Sequence, residues 1–351
     1  MRRRILVDIS AHGYGHVAQT APVVNAIFRR DLEIFVRSGN AVPGGRFECS
    51  FDWIKGSVDF GMKMKNAVDV DADETASSYL QFHENWEKRL ENEANWLESM
   101  DFDLVLCNAP YLPLKAASLA GIPSVSLCSL NWADLYRHYC SAFAGAGGII
   151  AEMVDAYESA SVFLKIEPAL PMDWAKAEKI GPIGIAGKDR RGEIEEKMGL
   201  RAGKKLGLVS MGGMAFPIPF AQWPSMAGVH WLVPEEVGRP DMTSFGRVGM
   251  PFPDLIASSD FFVTKPGYGS FVEAAISGTP VLYLSRRDWP EEPCLVSWLN
   301  ENGRCLEVNR AALEKGALMD SMESLLAMPE KPAPFPTGID QAADILEALL
   351  T

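Results

Sequence analysis

The sequence predicts an α/β protein of two doubly wound, Rossmann-like domains facing a cleft. Three observations carry this. Short apolar strand segments alternate with helix-like segments in both halves, the pattern of parallel strands joined by crossover helices. In each half a glycine-rich turn follows a strand and opens a helix: Ser10-Ala-His-Gly-Tyr-Gly-His16 in the first, Thr264-Lys-Pro-Gly-Tyr-Gly-Ser270 in the second. A stretch rich in glycine and proline, from Glu167 to Lys188, separates the halves and reads as a linker. The length, 351 residues, suits two domains at about 100–200 residues each.

In chain order, Arg4–Ile9 is a strand, followed by the first glycine turn and a helix capped by Thr20 with Pro22 in its first turn. Strands follow at Glu33–Arg37, Asp103–Cys107, Gly121–Leu127 and Ser161–Lys165. Tyr79, Phe82, Trp86, Leu90, Ala94 and Leu97 recur every three or four residues and predict one long helix from about Thr75 to Ser99. The surrounding acidic segment, Asn66 to Asp103, reads as its solvated face. The second half offers strands at Leu206–Ser210, Val229–Val233, Phe261–Thr264, Pro280–Ser285 and Arg304–Val308. A proline-rich spacer then leads to a helix from about Ile339 to Leu350.

Composition narrows the function. With 48% hydrophobic and 23% charged residues, the chain is globular in type. No apolar run reaches the roughly 18 residues of a membrane span. Arg2-Arg3-Arg4 precedes only Ile5-Leu6-Val7, short of the ~7–15 apolar residues of a signal peptide. Six scattered cysteines without a Cys-x-x-Cys complete the pattern expected of a cytoplasmic chain with free thiols. A net charge of −13 argues against a dedicated nucleic-acid binder. There is no P-loop, no Gly-x-Ser-x-Gly elbow and no His-Glu-x-x-His, so no metal site is expected.

Four patches remain as candidates. His12, Gly13, Tyr14, Gly15 and His16 lie at a strand's C-terminal end, where open sheets bind ligands. His16 has the chemistry of a general base; its alternative role is a hydrogen bond within the turn. In the second half, the amides of Gly269, Ser270 and Phe271 open a helix and suit an anion, with Gly267 baring the backbone and Lys265 adding charge. Glu273, one turn further, suits a ribose. Glu291 and Glu292 follow the next strand and can accept sugar hydroxyls, or belong to a charged surface loop. Gly212 and Gly213 form another strand-end turn.

In this order the patches resemble GT-B fold glycosyltransferases. The likeness is greatest to the group containing the bacterial N-acetylglucosaminyl transferase of peptidoglycan synthesis and plant monogalactosyldiacylglycerol synthase. Ser259-Asp260 through Glu273 to Gly278-Thr-Pro-Val281, continuing to Glu291-Glu292, carries the resemblance. It implies an acceptor-side domain (1–167), a nucleotide-sugar-binding domain (168–335) and a helix (336–351) returning to the first. It implies that Lys265, Gly267, Gly269, Ser270, Phe271, Gly212 and Gly213 hold the donor diphosphate. Glu273 would hold the ribose, Glu291 and Glu292 the sugar, and His16 would deprotonate a hydroxyl acceptor. The implied reaction moves a hexosyl or N-acetylhexosaminyl group from a UDP-sugar without metal or cofactor. Two features depart from the family: Tyr14 stands where a small residue is usual, and Glu291-Glu292 where Gln or Asp-Gln is common. Ionised carboxylates accept hydrogen bonds and cannot donate them. A second resemblance, to the glycosyltransferase-like N-terminal region of plant L-arabinokinases, rests on His12 to His16, Gly267 to Ser270 and Arg286 to Pro293. Two rival readings stay open: a nucleotide-sugar epimerase on the same fold, and a non-catalytic nucleotide-sugar-binding protein.

Overall fold

The computed structural model describes residues 2–28, 31–39, 46–172, 177–200, 203–213 and 216–351. They form two compact units, one of Met1–Lys65, Asp69–Ile183 and Thr337–Thr351, the other of Asn66–Val68 and Gly184–Pro336.

The first unit contains β1 (Arg3–Ile9), α1 (Tyr14–Ile27), β2 (Leu32–Ser38), β3 (Asp52–Lys55), α2 (Ala72–His83), α3 (Trp86–Ser99) and β4 (Leu104–Asn108). It continues with α4 (Leu112–Leu119), β5 (Ser124–Cys128), α5 (Trp132–Cys140), α6 (Ala146–Glu158), β6 (Val162–Ile166) and β7 (Ala177–Ile180). The strands form one sheet in the order β3-β2-β1-β4-β5-β6-β7, every pair parallel. β1, β4 and β5 are buried almost throughout, as strands covered on both faces are, around the apolar runs Ile5-Leu6-Val7 and Leu104-Val105-Leu106.

Three expectations are corrected here. α1 starts at Tyr14, directly after an extended Gly13, so Pro22 lies inside it. Thr20 does not cap it; its hydroxyl donates back to the His16 carbonyl, 2.8 Å away. The long helix is two helices, because Asn85 leaves helical geometry at φ −125° and ψ 41°. The first unit runs past residue 167 to Ile183, because Ala177–Ile180 pairs with β6 as a seventh strand.

Charge is buried beside β1. Arg37 on β2 donates to Asp8 Oδ2 through Nε at 3.0 Å and Nη2 at 2.5 Å, and Nη2 also meets Glu93 at 2.5 Å. Burial pushes the Asp8 carboxyl up, and the Arg37 charge opposes this. Removing one partner of such a group strands the others away from water. Arg37→Leu is therefore expected to cost about 3–5 kcal/mol of stability, readable by urea unfolding. An Asp8→Leu/Arg37→Leu double variant should recover much of that loss.

The second unit contains α7 (Arg191–Met198), β8 (Lys205–Val209), β9 (Val229–Val233), β10 (Met242–Ser244), α8 (Phe245–Val248), α9 (Phe252–Ala257) and β11 (Phe261–Thr264). There follow α10 (Tyr268–Ile276), β12 (Val281–Leu284), α11 (Glu292–Asn302), β13 (Cys305–Val308), α12 (Arg310–Lys315) and α13 (Met319–Leu326). Its all-parallel sheet has the order β10-β9-β8-β11-β12-β13. The core centres on Trp223, Trp231 and Phe261, packed edge to face. Gly207 in β8 is required for this: a Cβ there would lie 2.6 Å from the Phe261 ring and 2.7 Å from Trp231.

The last helix, α14 (Gly338–Leu350), belongs to the first unit. Gly181 N donates to Gln341 Oε1 at 2.7 Å, and a Cβ on Gly338 would come within 2.1 Å of the Gly181 carbonyl. Among the described residues no helix is long and apolar enough to cross a membrane.

Candidate active site

At the first unit's C-terminal sheet edge, β1 ends and the chain turns through Ser10 to Gly13 into α1, placing His16 on the first helical turn. Its Nδ1 lies 2.7 Å from Asn108 Oδ1, at the end of β4. Asn108 Nδ2 donates to Gln19 Oε1 at 3.0 Å, and Gln19 Nε2 donates to Ser129 Oγ at 2.8 Å. With the amides so assigned, Asn108 Oδ1 is an acceptor. Nδ1 then carries the imidazole proton, and the Nε2 lone pair is left for a ligand. His16 keeps only 7% of its surface exposed. Burial lowers its pKa to about 4, against the opposing hydrogen bond that it donates to Asn108. It is neutral at pH 7 and able to accept a proton.

Two residues that sequence reasoning missed complete this edge. Trp132 packs edge-on against both imidazoles, its ring centre 5.1 Å from His12 and 5.7 Å from His16. Its Nε1 donates to Asp59 Oδ2 at 2.6 Å. Asp59 is 8% exposed. Burial raises its pKa to about 6, with the Trp132 hydrogen bond opposing and the Asp8 charge adding. The loop carrying Asp59 lies close over His12: at Gly61, φ +62°, a Cβ would fall 2.7 Å from the His12 ring. Gly13 and Gly15 have open space where a Cβ would be, and Tyr14 is exposed.

In the second unit the turns after β8 and β11, which are adjacent strands, converge on Lys265. A Cβ on Gly267 would lie 3.5 Å from Lys265 Nζ, and one on Gly212 would lie 3.9 Å away. Gly212 is left-handed at φ +82°, and Gly213 beside it is exposed. The Lys265 ammonium makes no hydrogen bond or ion pair with a described residue. Burial lowers its pKa to about 7; Arg286 pushes the same way and Glu291 opposes.

Gly269 and Ser270 sit in the first turn of α10, where amides are left over by helix geometry. Phe271 does not share their role. Its amide donates to the Gly267 carbonyl at 3.0 Å, and its buried ring packs on Tyr283. Glu273 is 1% exposed, with its Cγ 3.6 Å from where a Cβ on Gly184 would stand. Glu292 braces its own loop: Oε1 accepts from Ser285 Oγ and Oε2 from the Arg286 amide, both at 2.5 Å. Glu291 Oε2 accepts from Trp289 Nε1 at 3.2 Å. Arg286, not singled out from the sequence, is buried with its guanidinium 3.7 Å above the Trp289 ring. Among the described residues no three His, Cys, Asp or Glu side chains gather to hold a metal ion.

The chain is similar throughout its length to solved glycosyltransferase structures. The calicheamicin glycosyltransferase CalG4 matches at TM-score 0.64 and 16% identity, covering 100% of this chain and 99% of that one. UGT89C1 of Arabidopsis thaliana matches at TM-score 0.63 and 12% identity, with 100% of both chains covered. The spinosyn rhamnosyltransferase SpnG, solved with thymidine diphosphate, matches at 0.55 and 15%, covering 99% and 96%. The fold is GT-B. In sequence the chain is 23% identical over 336 residues to the L-arabinokinase of Arabidopsis thaliana; this takes in 91% of the present chain but only 32% of the relative. No family model matches the chain. GT-B likeness rests on full-length superposition, whereas nothing in these matches singles out the peptidoglycan and galactolipid group.

Proposed function

We propose that the protein transfers a glycosyl group, hexosyl or N-acetylhexosaminyl, from a nucleotide sugar to a hydroxyl acceptor. The observation that carries this is Lys265: a largely buried cation that makes no ion pair with a described residue, feels Glu291 only at longer range, and faces two glycine turns on adjacent strand ends. That is a receptacle for a diphosphate. A UDP-sugar is the proposed donor. UGT89C1 has been solved with UDP and SpnG with thymidine diphosphate, which supports a pyrimidine nucleotide. Glu273 is assigned the ribose hydroxyls and Glu291 the sugar. Glu292 is assigned to holding the Ser285–Arg286 loop in place. His16 Nε2 takes the acceptor's proton as the acceptor oxygen bonds to the anomeric carbon. The bond to the diphosphate breaks with its electron pair on the leaving oxygen. Lys265 and the Gly269 and Ser270 amides stabilise the charge that builds there. No metal is assigned a part.

Thermal stability measured against UDP, GDP, TDP, CDP and ADP, each with and without a sugar, tests the donor site. A ligand at 100 times its dissociation constant adds about 2.7 kcal/mol, so a selective upward shift is expected. No shift with any nucleotide sinks the reading. Asp59, a buried carboxyl with its pKa raised to about 6 and hydrogen-bonded to the Trp132 that packs on His12 and His16, is the observation that favours an epimerase instead. Incubation of the recognised nucleotide sugar without acceptor separates the two: an epimerase produces the epimer, a transferase does not.

A further inference from the structure

We propose that Asn108 is the positioning residue for His16: it fixes the imidazole proton on Nδ1, presents the Nε2 lone pair to the acceptor, and does so through an uncharged relay. The proton-accepting part of this rests on the function proposed above; the tautomer does not.

The relay is short, buried and neutral throughout. It runs His16 Nδ1 to Asn108 Oδ1 at 2.7 Å, Asn108 Nδ2 to Gln19 Oε1 at 3.0 Å, and Gln19 Nε2 to Ser129 Oγ at 2.8 Å. Asn108, Gln19 and Ser129 are each buried. Cys128, ending β5, points its Sγ at the same Asn108 oxygen from 3.4 Å. The backbone is held as firmly as the side chain. The Asn108 carbonyl accepts from Ser10 N at 3.1 Å. Ala109, the next residue, is in the left-handed region at φ +78°, a conformation that strains any residue other than glycine. The Tyr157 hydroxyl donates to the Ala109 carbonyl at 2.6 Å, and Trp132 N in turn donates to that hydroxyl at 3.1 Å. Strain retained beside a buried polar side chain is the mark of a position whose geometry is over-determined.

A carboxylate at this place would pair with the imidazolium that forms during proton transfer. The Asn108 amide cannot. It orients the ring and favours the charged form only weakly, so burial prevails and the imidazole resists protonation. The other titratable groups around the ring are His12, with centroids 6.5 Å apart, Cys128, with Sγ 4.0 Å from Nδ1, and Asp59, on the far side of Trp132.

The test is nitrogen-15 NMR of labelled histidine in the full chain, without substrate, from pH 4 to pH 8. His16 is expected as the Nδ1-protonated tautomer throughout the upper range, with a midpoint near 4. Asn108→Asp should raise that midpoint by roughly 1–3 pH units. The acidic limb of kcat/KM should follow it, while KM for the nucleotide sugar stays put. Asn108→Leu should lose the fixed tautomer and lower kcat about 10–100-fold, the cost of a lost supporting contact to a functional imidazole. An Nε2-protonated wild-type ring overturns the proposal. So does an Asn108→Asp protein whose His16 titration is unmoved. Absence of any glycosyl transfer would count against the proposed function and leave the tautomer result to decide this proposal on its own.

Discussion

Replacing His16 with alanine is expected to lower kcat by roughly 10²–10⁴-fold, the range that a positioned general base supplies. Nucleotide-sugar binding should be unchanged, because the residues assigned to the donor all belong to the second unit and His16 to the first. A titration of donor affinity beside the turnover assay therefore separates loss of chemistry from loss of fold. The pH dependence follows from the low pKa. The base must be neutral, and its folded-state pKa is about 4 against an ordinary 6.5. Wild-type kcat/KM should thus hold level from pH 7 down to about 5, then fall as the imidazole protonates. Stability carries the same signature. Between pH 6.5 and about 4 the unfolded chain binds this proton and the native protein does not, so the native state loses stability as pH falls through that window. His16→Ala should flatten that part of the stability curve. A variant that keeps full turnover would remove His16 from the mechanism, whatever its hydrogen bonds.

What the sequence shows and hides follows the physics of each element. The ten expected strands all occur, because parallel strands buried on both faces are written as apolar runs. The three that escaped notice, β3, β7 and β10, are all edge strands. Asp52-Trp-Ile-Lys55 and Ala177-Glu-Lys-Ile180 are half polar; only a neighbour's unpaired edge makes them strands, and that neighbour is a tertiary fact. The stripe from Tyr79 to Leu97 buries its residues as expected, apart from a partly exposed Phe82. It continues across the break at Asn85 because Trp86 returns to the same face. Periodicity detects the face and cannot detect the kink. The site divides in the same way. His16 and Lys265 stand next to strand-end glycines and can be found locally. Asn108 lies 92 residues from His16, and Asp59 reaches Trp132 across 73, so no spacing rule joins them. The polar residue closing Leu-Val-Leu-Cys-Asn108 was the one local hint. Glu292 shows the converse. Its acidity suggested a ligand for sugar hydroxyls, while the hydrogen bonds that both of its oxygens accept from its own loop are not legible in the sequence.

Lys265→Met should weaken nucleotide-sugar binding and stabilise the unliganded protein at once. An ammonium with no hydrogen-bonded or ion-paired partner among the described residues, desolvated and beside Arg286, disfavours its own charge more than Glu291 favours it, which is why its pKa falls from 10.5 to about 7. Below pH 7 the native protein carries that charge at a cost. From pH 7 to about 10.5 the unfolded chain holds the proton and the native protein does not, so stability rises with pH across this window. Methionine fills the same space without the charge. Its variant should therefore unfold at higher urea concentration than wild type at pH 6, and the gap should close toward pH 10. Binding has the opposite dependence. A diphosphate adds negative charge that Glu291 alone does not supply and favours the protonated lysine, so affinity should decline about tenfold per pH unit above 7, with a proton taken up on binding. The sugar nucleotide is the right probe, because free UDP has a terminal phosphate that itself ionises near pH 6. Losing one preorganised cation at the leaving group should also cost about 10²–10³-fold in kcat. Calorimetry in buffers of different ionisation enthalpy measures the proton uptake directly. Undiminished affinity in Lys265→Met would show that the diphosphate sits elsewhere. A destabilised unliganded variant would show that the lysine has a structural partner, and that the two glycine turns were not shaped around an anion.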